Sequence, residues 1–155
     1  STHDTGSRRN DSYVPLILIA YDSRVDNFNK VRNMFAHIKV AGTTPEGLCF
    51  ESIQKDLIPG NSNQDSYFIN FSDGQPYYGD KDINYSGYEA EKHTAKMVKN
   101  MRDIGMSVLS YFISDYDYED DHKSFKNMYG DDAQFINATN MMQVAKTMNK
   151  KFLEK

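Results

Sequence analysis

The chain has a single cysteine, no tryptophan, no surplus of positive charge and no apolar run long enough to cross a bilayer. One cysteine, Cys49, excludes an internal disulfide framework and a cysteine-rich zinc site. With 18 Lys+Arg against 22 Asp+Glu and no basic stripe, the electrostatic footprint of a nucleic-acid binder is missing. The longest apolar run, Val14 to Ala20, falls far short of the roughly 20 residues of a spanning helix. No cationic start leads into an apolar stretch as in a signal peptide, so a cytoplasmic location is expected, with no membrane partner. Aromatic residues are plentiful: 11 Tyr and 9 Phe in 155 residues give one domain ample surface to bury and argue against disorder.

The polar stretch Ser1 to Ser12 lacks an apolar period and is expected to be a loop or tail, leaving residues 13–155 as one domain. Val14 to Ala20 is continuously apolar, as in a strand buried on both faces, with Pro15 tolerated near its start. Phe28, Val31, Met34, Phe35 and Ile38 recur every three or four positions and predict a helix over 26–38 with that face inward. Thr43-Thr44-Pro45 then predicts a helix start, with Thr as the cap and Pro in the first turn. That helix carries Leu48, Phe50, Ile53 and Leu57 and stops at Pro59-Gly60.

Ser66 to Phe71 reads as a second strand ending at Ser72-Asp73-Gly74, and Gln75 to Gly87 as a long surface loop. A helix over 89–104 has Ala95, Val98, Met101 and Ile104 inward and Gly105 as its C-terminal cap. Ser107 to Ile113 is a third strand. A short helix over 124–129, a brief strand over 134–136 and a last helix capped by Thr139 or Asn140 follow. Strands alternating with helices predict an α/β fold, a Rossmann-like, mostly parallel sheet with helices on both faces. Such sheets carry ligand chemistry at the carboxyl ends of their strands.

Two segments fall on that rim. In Phe71-Ser72-Asp73-Gly74-Gln75-Pro76 a carboxylate follows directly on a buried strand, which suits a hard cation seeking oxygen ligands. The same residues also make an ordinary Asp-Gly turn. Ala41-Gly42-Thr43-Thr44-Pro45-Glu46-Gly47 places a hydroxyl at a helix start, which alone is a simple cap. The pair, one helix plus one strand apart, resembles the von Willebrand factor type A domain and its metal-ion-dependent adhesion site. That family has a Thr in a Gly-Thr loop opening a helix, then a strand ending in Thr/Ser-Asp-Gly-x-Pro.

The resemblance is closest to the type A domain of cobaltochelatase-like proteins, which pair with ring-shaped AAA+ ATPases. It extends from about Val14 to Lys155 and includes the helix start near Tyr88 to His93, the strand before Asp115, and Phe135-Ile136-Asn137-Ala138 before the last helix. It implies Thr43 and Asp73 as metal ligands, with Thr44 as the alternative hydroxyl and Gly74, Gln75, Tyr77 and Tyr78 around the bound partner. The implied ion is Mg²⁺, with Ca²⁺ or Mn²⁺ as alternatives, its open position taken by a carboxylate of a partner protein.

One departure stands out. The family's first signature, Asp-x-Ser-x-Ser after the opening strand, is absent: Asp4-Thr5-Gly6-Ser7-Arg8 and Asp22-Ser23-Arg24-Val25-Asp26 both lack the serines. In the family's layout Val14 to Ala20 would be the third strand. The expectation is therefore a C-terminal portion of the domain, its first strands and serine ligands supplied by a second chain, a cleaved parent or an upstream segment. A sheet lacking its middle leaves backbone groups unpaired.

Other candidates carry less. Asp115 to His122 has Asp120 and Lys126 where an EF-hand needs Gly and Glu, so it reads as a solvated acidic loop that would draw basic partners. Tyr77, Tyr78, Tyr85 and Tyr88 crowd the loop after Asp73, either as interface anchors or folded back over the sheet edge. The four histidines show no ligand spacing, Cys49 reads as packing, and Met97, Met101, Met141, Met142 and Met148 read as core filler. The expected function is a metal-dependent, adhesion-type protein-binding module. The alternative is a metal-dependent hydrolase or phosphotransferase with Asp73 and Asp115 at strand ends, for which no nucleophile or base can be named.

Overall fold

Three largely apolar segments pair side by side, which buries apolar surface and satisfies their backbone groups. In the computed structural model, which describes residues 2–4, 15–17, 21–37, 43–79, 84–114, 119–136 and 141–153, they form a parallel sheet. Its strands are β3 (Ser66–Ser72), β6 (Met106–Ile113) and β7 (Ala133–Ile136), in the order β3-β6-β7. Ser66 to Ser72 align with Met106 to Phe112, and Ser110 to Ile113 with Ala133 to Ile136. The remaining strands are short antiparallel pairs: β1 (Thr2–Asp4) with β2 (Pro15–Ile17), and β4 (Tyr78–Gly79) with β5 (Asn84–Tyr85). The helices are α1 (Phe28–Met34), α2 (Glu46–Ile53), α3 (Gly87–Asp103), α4 (Glu119–Tyr129) and α5 (Met141–Leu153).

The period-two alternation of β6 divides the core into two layers. Met106, Val108 and Phe112 face α2, α3 and α4, packing with Phe50, Met97, Val98, Met101, Phe125, Met128 and Tyr129. Leu109, Tyr111 and Ile113 face the other way, towards Val144 and Met148 of α5. Helices therefore flank both faces, as the alternation of elements predicts. No helix among the described residues is long and apolar enough to cross a membrane.

Several boundaries and faces differ from expectation. The second helix starts at Glu46 with Pro45 at the cap and no side-chain cap bond, so Thr43 and Thr44 precede the helix and do not cap it. It gives way to a 3₁₀ turn at Gln54–Asp56 well before Pro59. α1 is capped instead by Asn27, whose side chain accepts from the Asn29 amide. Only Val31 of its stripe is buried, while Phe28, Met34 and Phe35 are about half exposed and Ile38 lies outside the described residues. Ile104 is exposed rather than inward, because α3 ends before it and Gly105 (φ 87°) turns the chain away. Met142 likewise faces solvent.

Part of the expected tail is strand, since Thr2–Asp4 pairs with Pro15–Ile17 in an antiparallel ribbon rather than in the parallel sheet. Val14 and Leu18 to Ala20 lie outside the described residues. Glu119 to His122 belongs to α4 rather than to an acidic loop, and Asp115, Asp117, Thr139 and Asn140 also lie outside.

Candidate functional site

The parallel strands deliver two loops to one rim. Ser72 closes β3, Asp73 leaves it exposed to solvent, and Gly74 turns the chain at φ 82°. A Cβ on Gly74 would run into the Phe112 ring, so the turn needs glycine for both its sign of φ and its contact. The Ser72 hydroxyl oxygen accepts from the Gly74 amide at 2.9 Å, and Asp73 Oδ1 accepts from the Gln75 amide at 3.4 Å. These bonds fix the turn and leave most of the Asp73 carboxylate free for a ligand. The Gln75 side-chain amide donates to Asp121 at 3.2 Å, which brings the acidic first turn of α4 to the same rim.

The Thr43-Thr44 segment lies against this turn. The Tyr77 amide donates to the Thr44 carbonyl at 3.1 Å, and Pro45 accepts from the Cys49 amide at 3.0 Å as α2 begins. Thr43 is half-buried and Thr44 exposed. Of the residues expected around a partner, Thr44, Gln75 and Tyr77 are exposed, while Gly74 and Tyr78 are buried. Tyr78 is 5 % exposed in β4: contrary to expectation it does not stand at a partner surface, because the β4–β5 hairpin folds it inward. Tyr88 is exposed, and Tyr85 is half-buried with its hydroxyl 3.0 Å from His93 Nδ1 and donating to the Ala90 carbonyl at 3.3 Å.

Behind the two loops lies a buried polar cluster. Glu46, in the first turn of α2, is 4 % exposed. Its Oε1 accepts from the Asn70 side-chain amide at 2.7 Å, and the same amide group donates to the Tyr129 hydroxyl at 3.0 Å. Its Oε2 is buried without a hydrogen bond. Burial pushes the Glu46 carboxyl above the ordinary glutamate range. The Asn70 bond and the neighbouring Tyr129 and Ser72 hydroxyls oppose the shift, and the charge of Asp73 adds to it. Burial, with Glu46 close by, also pushes the Tyr129 phenol up.

Glu46, Asn70 and Tyr129 escape a reading of the sequence. A glutamate in a first helical turn normally serves the helix dipole from the surface. The available signal was Asn70, a polar residue inside the otherwise apolar strand Tyr67 to Phe71, which has to find a buried partner.

The polar side chains on these loops and behind them offer oxygen: the carboxylates of Asp73 and Glu46 and the hydroxyls of Thr43 and Ser72. Among the described residues no three His, Cys, Asp or Glu side chains converge as a metal cluster. Carboxylates and hydroxyls are the oxygen groups that hard divalent ions prefer, and Glu46 Oε2 has no hydrogen-bond partner. At the opposite end of the sheet an open polar cleft of about 250 Å³, bordered by Gly60, Asn61, Asp65, Ser66 and Ser107, gathers one carboxylate only. No protein-family model matches this chain, and neither does any curated protein or solved structure.

Proposed function

We propose that this chain is a von Willebrand A-like docking module that holds a divalent cation at the rim and binds an acidic side chain of a partner protein. Thr43 and Asp73 hold Mg²⁺, or Ca²⁺ or Mn²⁺ in its place, and Thr44, Gln75 and Tyr77 face the partner. The observation that carries this reading is the Tyr77–Thr44 backbone bond, which lays the threonine loop against the Asp-Gly turn in front of a buried carboxylate. When bound, the ion supplies a Lewis-acid link to the partner's carboxylate, and no bond of the partner is broken.

The fitting partner is an AAA+ ATPase, in a cytoplasmic setting. β3 has a strand on one side only among the described residues. A second chain or upstream segment supplies the strand beside it and the serine ligands that this polypeptide does not carry.

The test is Mn²⁺ titration followed by electron paramagnetic resonance. Wild type is expected to bind, and Asp73→Ala and Thr43→Val to lose binding. A glutamate-bearing peptide is expected to lower the water relaxation of bound Mn²⁺ by displacing coordinated water. Metal-dependent turnover of a phosphate ester, lost in Asp73→Ala, would replace this reading with the hydrolase or phosphotransferase.

A further inference from the structure

We propose that Glu46 is a positioning residue of this cation site, a second carboxylate behind Asp73 that makes the rim selective for ion charge. The inference rests on the docking reading above and adds to it a residue outside the adhesion pattern. Its basis is geometric. Glu46 is 4 % exposed, and one carboxylate oxygen is pinned by Asn70 at 2.7 Å. Asn70 is held in turn by Tyr129 at 3.0 Å, so the carboxyl group cannot rotate freely. The other oxygen, Oε2, is buried and unpaired.

An acceptor left without a partner in a protein interior is costly. What surrounds the carboxyl group gives the unpaired oxygen a use. Asn70 and Ser72 lie two apart in β3 and share the face towards α2, and Asp73 follows at the rim. The Ser72 hydroxyl and the Asp73 charge are the groups on that side that Glu46 senses.

Glu119, Asp120 and Asp121, the other carboxylates at this end of the sheet among the described residues, stand on the first turn of α4, where water and salt screen those that are exposed. A carboxylate in the interior is screened far less, so its attraction to an ion at Asp73 acts over a longer distance. A purely structural Glu46 would need only its bond to Asn70. Glutamine supplies that bond equally well and offers an amide in place of the unpaired oxygen.

The experiment uses the full chain as wild type, Glu46→Gln, Glu46→Asp and Asp73→Ala. Mn²⁺ affinity is read by electron paramagnetic resonance and Tb³⁺ affinity by tyrosine-sensitised luminescence, with the unfolding midpoint measured without ions. Because the attraction scales with ion charge, Glu46→Gln is expected to weaken Mn²⁺ about tenfold and Tb³⁺ about thirtyfold, with an ion-free midpoint no lower than wild type. Glu46→Asp keeps the charge and is expected to retain the wild-type ratio of Tb³⁺ to Mn²⁺ affinity even where both fall.

Equal losses for the two ions, or none, overturn the inference, as does a Glu46→Asp ratio shifted in the way expected of Gln. Binding lost in Asp73→Ala but kept in Glu46→Gln overturns this inference and leaves the docking site standing. Absence of binding by wild type overturns both.

Discussion

At Gly74 a single missing side chain decides whether the rim exists. Its φ of 82° is open to glycine at little cost, and a Cβ there would collide with Phe112 while sitting 3.4 Å from Phe125. Both rings belong to the larger core layer, so they cannot yield without disturbing their neighbours. Gly74→Ala is therefore expected to destabilise the fold by about 2–3 kcal/mol in urea titration, through strain and overpacking together. A loss below about 0.5 kcal/mol would mean that the turn relaxes freely and does not hold Asp73 in place.

Glu46 supplies a second residue-scale expectation, in the dependence of stability on pH. Its carboxyl is pushed above the ordinary glutamate value of 4.5 chiefly by burial, so the folded chain holds that proton more tightly than the unfolded chain does. The stabilisation is fully present below about 4.5 and is lost as pH rises through the folded value. Glutamine does not titrate. In a metal-chelating buffer, the unfolding free energy of wild type minus that of Glu46→Gln is expected to fall as pH is raised from about 4 to 7. A difference that stays flat would show that Glu46 titrates as it does in the unfolded chain.

At the scale of elements, what the sequence makes legible depends on how many contacts enforce each pattern. Ser66–Ser72 and Met106–Ile113 follow the expected strands to within a residue, because short aromatic-rich runs bounded by turn residues favour strand over helix. The spacing of Val98 and Met101 placed α3 on the core, while its end fell at Asp103 because Gly105 stops the helix before Ile104 can turn inward. The stripe on α1 was misread for a related reason: periodicity predicts an apolar face, but not that something will cover it. Phe28, Met34 and Phe35 remain half exposed.

The region after Asp73 read as loop because Gly, Asp, Asn and Tyr dominate it. The short antiparallel β4–β5 pair and the hydroxyl of Tyr85 nevertheless organise it. The threonine and aspartate of the candidate site were legible as a spaced pair. Their buried backing was not, since only tertiary packing brings Glu46, Asn70 and Tyr129 together.

Tyr85 is the latch that holds the β4–β5 hairpin on the helices. Its hydroxyl meets His93 and the Ala90 carbonyl on α3, and His93 Nε2 lies 3.6 Å from Glu51 of α2. Gly47 permits this approach, for a Cβ there would collide with the Tyr85 hydroxyl and sit 2.9 Å from His93 Nδ1. Tyr85→Phe keeps the ring and removes the bonds. It is expected to cost about 1 kcal/mol and to speed hydrogen exchange at residues 78, 79, 84 and 85 while leaving β6 unchanged. Unchanged exchange in the hairpin would assign the latch to ring packing instead.

At the scale of the whole molecule, the central strand β6 has a parallel neighbour on each side, whereas β3, like β7, is bonded on one side only among the described residues. The side chains of β3 reflect this: none is fully buried, and Phe71 is 48 % exposed although it stacks on Tyr111 at 5.2 Å. A strand with this composition at an open edge is a template for pairing with another chain. Hydrogen exchange reads that edge directly. In the isolated chain, β6 amides are expected to exchange slowest. Amides of β3 should alternate between slow, where the N–H points to β6, and fast, where it points outward. Addition of the chain or segment that completes the sheet is expected to slow the fast half by about a hundredfold or more, matching an opening free energy several times RT. Uniform slow exchange throughout β3 in the isolated chain, together with a sedimentation coefficient that does not change with concentration, would mean that its own residues already cover that edge. The docking module would then have to be complete without a second chain.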